Sequence, residues 1–148
     1  THELDYMRAV LGQPQRVTAR IDNLLGGMEY EDQCYVLVDF VGGASGLLHG
    51  SMSSPVGEYR VHIQGTGGNM VHGGFSGSIK YQQVGGQPQE VPLGEISGQN
   101  PYDRELASWI DSLTFGTEPL FTGEDGRIAV AMAECAYRSA ASGKLGAF

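Results

Sequence analysis

Apolar residues recur at Leu4, Met7, Val10 and Leu11, the spacing of one helical face, until Gly12 and Pro14 stop the pattern. The following stretch, QRVTARIDNLL (15–25), sets Val17, Ala19 and Ile21 against Thr18, Arg20 and Asp22. That alternation is the period of a half-buried strand. The acidic EYED (29–32) ends the loop behind it. Three pairs of apolar runs then flank glycine-containing turns: CYVLVDF and LLHGSMSS around VGGASG, EYRVHIQG and NMVHGG around TGG, and SIKYQQV and QEVPL around GGQP. Each pair reads as a β-hairpin. Pro92 marks the last of these strands as an edge or an early end, because proline cannot donate to a ladder.

The period changes at NPYDRELASWIDSLTFG (100–116). Asn100 can cap, Pro101 suits the first helical turn, and Asp103 and Glu105 favour the positive helix end. Leu106, Trp109, Ile110 and Leu113 make one apolar stripe, and Gly116 closes the helix. GEDGRIAVAMAECAYRSAASGK (123–144) predicts a second helix, whose face of small residues (Ala131, Ala136, Ala140) suits close packing. LGAF (145–148) predicts a short final strand. The sum is α+β: an open, mainly antiparallel β-sheet with helices on one face. No βαβ alternation, internal repeat or linker is visible, so residues 1–148 are expected to form a single domain around one core.

The formal charge of −8 argues against nucleic acid and anionic membranes as partners, since both call for basic patches. No transmembrane run or signal peptide is visible. The 23 glycines punctuate the strand-like runs instead of forming a low-complexity tract. Cys34 and Cys135 lie far apart in apolar surroundings, and two buried thiols in a reducing cytoplasm is preferred to a disulfide.

Local motifs supply little chemistry. GTGGNM (65–70) has Met70 where a dinucleotide fingerprint needs its third glycine, and a strand follows instead of a helix, so it reads as a hairpin turn. No GxSxG elbow and no paired His or Cys spacing for a metal occurs. His49, His62 and His72 fall on predicted strands as surface or interface residues. His2 and Asp5 differ, because they open a helix together with no evident structural task. A frayed end with a solvated histidine and a capping aspartate is the competing account. The chain starts at or inside a helix, without an initiator methionine, and is expected to be cut from something longer.

The order of these segments resembles the C-terminal domain of the glucose–fructose oxidoreductase, inositol dehydrogenase and MocA (Gfo/Idh/MocA) family. HELDYMRAVLG resembles the family helix that opens on His-x-x-Asp, YVLVDFVGGASGLLHGSMS its central hairpin, and VHIQGTGGNM the strand and Gly-Thr-x-Gly turn after it. NPYDRELASWIDSL and TGEDGRIAVAMAECAYRSAASGK resemble its last two helices. The resemblance implies an N-terminal Rossmann domain in the parent, absent from these residues, that binds NAD or NADP and carries a lysine in a Glu-Lys-Pro segment. It implies that His2 is the catalytic base, taking a hydroxyl proton while hydride leaves the same carbon for the nicotinamide. Imidazole suits that task because it titrates near neutral pH. Asp5 would bind a substrate hydroxyl or hold the helix start, and Tyr59 and Arg60, at the start of EYRVHIQG, are implied polyol contacts. The aspartate that precedes the histidine in inositol dehydrogenase-like members would lie before Thr1.

The resemblance therefore implies the substrate-binding and oligomerisation domain of a cytoplasmic NAD(P)-dependent sugar or polyol dehydrogenase. A homodimer or homotetramer would form through the sheet face away from the helices. On EYRVHIQG, Val61 and Ile63 would face the helices, with Arg60, His62 and Gln64 outward. The isolated chain would bind no cofactor or metal of its own and would not be catalytic. The alternative is a non-catalytic binding or assembly module. A small ligand-carrying domain with its own pocket is a third reading.

Overall fold

The computed structural model describes residues 1–74, 77–96, 98 and 100–148. The described chain divides into two compact units: Thr1–Ser54 with Phe121–Phe148, and Pro55–Leu120. The α+β class holds, but the strands fall into two four-stranded antiparallel sheets where the pattern had pointed to one.

In the first unit, helix α1 (His2–Leu11) precedes strands β1 (Pro14–Asp22), β2 (Gln33–Phe40) and β3 (Ser45–Ser51). After the second unit the chain returns as helix α4 (Gly123–Ser142) and strand β8 (Gly146–Ala147). The sheet order is β3-β2-β1-β8. Register places Val17 opposite Val38 and Ala19 opposite Val36, with Val36 in turn opposite Leu48 and Val38 opposite Gly46. This row packs with Leu4 of α1 and with Ile128, Met132, Cys135 and Ala136 of α4 to make the core. Both helices therefore lie on one face of this sheet. Gly46 permits the close approach of α1, because a Cβ there would meet the Met7 sulfur and lie 3.4 Å from Leu11.

Polar groups finish what packing begins. β8 pairs with β1 only at Arg16 and Val17. Beyond it, the N–H of Ala19 donates to the buried Ser139 Oγ at 3.2 Å, and that hydroxyl donates to the Lys144 carbonyl at 2.7 Å. The apolar pair Leu24 and Leu25, which the alternation had carried into the first strand, lies instead in a loop. Their N–H groups donate to the buried carboxylate of Asp32, at 2.9 and 2.6 Å, and so leave the strand ladder. α4 starts on a capping box, with Thr122 and Asp125 satisfying each other's backbone N–H. Gly143 (φ +65°) ends it.

The second unit is a meander of β4 (Arg60–Gly65), β5 (Gly68–Gly73), β6 (Ser78–Gln83) and β7 (Gln89–Pro92). A short helix α2 (Leu93–Ile96), absent from the sequence reading, and α3 (Pro101–Phe115) follow. Gly68 (φ +155°) sets the first turn, where a Cβ would strike the Gln82 carbonyl oxygen and lie 2.9 Å from Gln83 Cα. Asn100 caps α3 through the Tyr102 N–H at 3.0 Å, and Gly116 (φ +68°) closes it.

Candidate active-site helix

Thr1 is the N-cap of α1: its carbonyl accepts the Asp5 N–H at 3.0 Å, although its side chain makes no capping bond. His2 stands exposed in the first turn, and Asp5 lies three residues on. Positions three apart share a helix face, so the imidazole and the carboxylate are neighbours along one side of α1. Leu4 is buried between them in sequence and fixes the opposite side on the core. Arg8, two turns from the start, donates from Nε to Asp5 Oδ1 at 3.1 Å. Its Nη1 reaches Asp125 Oδ1 on α4 at 2.9 Å. The sequence reading passed over Arg8. Its signal was the spacing Asp5–Arg8 on a helix, which by itself is shared with many solvated ion pairs.

Tyr59 and Arg60 belong to the second unit. The Tyr59 carbonyl accepts the Gly74 N–H at 2.9 Å, and Arg60, opposite Gly73, opens β4 and is exposed. The Tyr59 ring meets the His72 ring edge-on, with centroids 6.5 Å apart. His72 Nδ1 is a buried polar atom with no hydrogen-bond partner among the described residues. A shallow open groove of about 320 Å³ runs beside α3, lined by Arg104, Ser108, Asp111 and Glu118 among others, and holds none of the residues the sequence singled out.

The outer face of the first sheet is organised in rows. Arg16, Asp39 and Ser45 are linked by an ion pair at 3.3 Å and a hydrogen bond at 2.8 Å. Next to them lie Thr18, Leu37 and Leu47, then Arg20, Tyr35 and His49, with the Tyr35 and His49 rings stacked at 4.5 Å. Leu47 is 72% exposed. Leu37 and Leu47 thus form an exposed apolar strip between the two polar rows.

Residues 65–68 join β4 to β5 as a hairpin turn, with no helix N-terminus behind them, so they do not form a pyrophosphate cradle. Among the described residues no three His, Cys, Asp or Glu side chains converge on a metal position. Cys34 and Cys135 are free thiols, the first half-buried and the second buried. No described helix is long and apolar enough to cross a membrane.

Against known proteins, residues 1–146 match the family model for the oxidoreductase family, C-terminal alpha/beta domain. D-apiose dehydrogenase of Rhizobium rhizogenes is 28% identical over 161 residues, covering 97% of this chain and 45% of that protein. Among solved structures, an oxidoreductase from Agrobacterium radiobacter in complex with NAD+, L-tartaric acid and magnesium is similar at 25% identity. Its TM-score is 0.82, with 99% of this chain and 46% of that one covered. Aldose-aldose oxidoreductase from Caulobacter crescentus, complexed with glycerol, shares the fold at a TM-score of 0.87 and 23% identity, over 99% and 45% of the two chains. The chain thus spans less than half the length of these relatives. It belongs to the Gfo/Idh/MocA oxidoreductases, as their C-terminal alpha/beta domain.

Proposed function

We propose that these residues are the substrate-binding and oligomerisation domain of a dehydrogenase that oxidises a sugar or polyol hydroxyl with NAD or NADP. The observation that carries this reading is His2, exposed in the first turn of α1 with Asp5 one turn along, in a chain similar to D-apiose dehydrogenase. His2 accepts the proton of the hydroxyl being oxidised, and Asp5 accepts a hydrogen bond from a neighbouring hydroxyl. Tyr59 and Arg60 are further polyol contacts. NAD or NADP would accept the hydride when bound, held by a nucleotide-binding domain for which the greater length of the similar D-apiose dehydrogenase leaves room. The two free thiols fit a reducing cytoplasm.

EYRVHIQG, expected to carry the contact, lies in the other sheet; the outer rows of the first sheet support a homodimer or homotetramer, with Leu37 and Leu47 at the centre of the contact and Tyr35 at its rim. Leu47→Glu would then lower the sedimenting mass of the full-length protein, and an unchanged mass would move the interface elsewhere.

The test is direct. The full-length protein, given D-apiose, D-glucose or myo-inositol with NAD or NADP, should produce reduced nucleotide with at least one of them, while residues 1–148 alone should produce none. No turnover with any sugar would favour the second reading, a non-catalytic assembly module. The exposed outer rows of the sheet are the observation on its side, because they suit an interface whether or not the protein is an enzyme.

A further inference from the structure

We propose that Arg8 is a positioning residue: it fixes the Asp5 carboxylate for substrate by tying it to the capped start of α4. The proposal rests on the reading of Asp5 as a substrate contact.

The chain of contacts starts in the core. α4 is seated on the sheet through Met132, Cys135 and Ala136, which are buried. At its N-terminus, Asp125 Oδ2 accepts from the Thr122 backbone N–H at 2.6 Å and from the Thr122 hydroxyl at 2.8 Å. Both bonds use the same oxygen, which leaves Oδ1 to meet Arg8 Nη1 at 2.9 Å. Arg8 then spends its Nε on Asp5 Oδ1 at 3.1 Å. One guanidinium thus bridges two carboxylates, one on its own helix and one on a neighbouring helix. Its planar fork of donors makes this possible, whereas an ammonium would offer a single point of charge.

Burial separates this arrangement from an ordinary surface ion pair. The Arg8 side chain is 15% exposed, against 37% for Asp5. The guanidinium is the covered partner and the carboxylate the accessible one, as expected for a support beneath a ligand-binding group. An exposed pair worth little would show both side chains open, as Arg127 and Glu124 do at 63% and 61%. Asp5 reaches Arg8 with one oxygen while its side chain stays open to an incoming hydroxyl. Held this way, it is oriented before substrate arrives, so less ordering accompanies binding.

The test is a double-mutant cycle in the full-length protein, with Arg8→Gln and Asp5→Asn alone and combined. It is read as kcat/KM and as calorimetric affinity for D-apiose, D-glucose and myo-inositol, with nucleotide affinity as the control. Arg8→Gln is expected to cost about 10-fold in kcat/KM and in sugar affinity when Asp5 is present, and less than about 2-fold in the Asp5→Asn background, with nucleotide affinity unchanged. Equal losses in both backgrounds would overturn the proposal while leaving Asp5 as a substrate contact, because Arg8 would then serve only to join two helices. If Asp5→Asn changes neither binding nor turnover of any of the three sugars, the reading of Asp5 falls, and the proposal with it. Should Arg8→Gln fail to fold, the cycle is run with Arg8→Lys, for which coupling of the same sign is expected.

Discussion

The two units are built from the same element, a four-stranded antiparallel sheet, and differ in what lies on it. In the first unit, α1 and α4 cover one face, and Val17, Val38, Phe40 and Met132 are almost wholly removed from water. In the second unit no described residue is buried, and even the apolar stripe of α3 stands open, with Trp109 57% exposed. Sheets gain most of their stability from a covered face, and a meander without one depends on turns and ladder bonds. The first unit is therefore a folding unit by its own packing. The second has no buried core among its described residues.

Cutting the chain gives the largest effect. A chain joining Thr1–Ser54 to Phe121–Phe148 through a flexible linker should melt cooperatively in calorimetry, whereas Pro55–Leu120 alone should show no transition. A cooperative melt of the excised meander would break the comparison. Single substitutions sharpen it. Phe40→Ala should cost about 3–5 kcal/mol and Met132→Ala about 2–5 in urea unfolding, because each empties a packed site. Ile63→Ala in the meander should cost about 1 kcal/mol or less, as a half-buried side chain has little packing to lose.

What was legible in the sequence follows the same division. Turns that depend on one or two residues were readable. Gly68, Gly116 and Gly143 each stand where the chain needs a positive φ, and each bounded an element in the sequence reading. The loop after β1 was not readable, because Leu24 and Leu25 continue the apolar pattern while Asp32, seven and eight residues away, withdraws their N–H groups. The break into two sheets was not readable either, since alternation assigns faces to a strand but not neighbours. Thr122 and Asp125 carry the spacing of a capping box, and α4 starts at Gly123, where the sequence reading placed it. At the candidate site, His2 and Asp5 were singled out as residues, but their chemistry came from the resemblance. Arg8 needed the structure, because its second partner lies on an element more than a hundred residues away.

Two smaller effects probe each unit by the device that holds it. Gly68→Ala should destabilise by about 1–3 kcal/mol through backbone strain, and should lose hydrogen-exchange protection in β4 and β5 first. Thr122→Ala should cost about 1 kcal/mol by removing the cap of α4. The Asp125 carboxyl is held below the ordinary aspartate value, first by the bond from the Thr122 backbone N–H, then by the Thr122 hydroxyl, with Arg8 adding attraction against a desolvation cost. A carboxyl depressed on folding contributes stability above its unfolded value, about 3.9, and loses it as pH falls through the lower folded value. The advantage of the native protein over Asp125→Asn should therefore shrink in acid melts begun at neutral pH and carried below that value. An advantage independent of pH would place the ion pair and cap outside the energetics of this end of α4.

The account turns on the first residue of α1. His2→Ala in the full-length protein, assayed with the sugar it oxidises and titrated separately with nucleotide, tests it most directly. Loss of about 100-fold or more in kcat with unchanged nucleotide affinity is the predicted result, the scale of a lost general base. Turnover within a few-fold of the native protein would contradict it and leave α1 as a structural helix only.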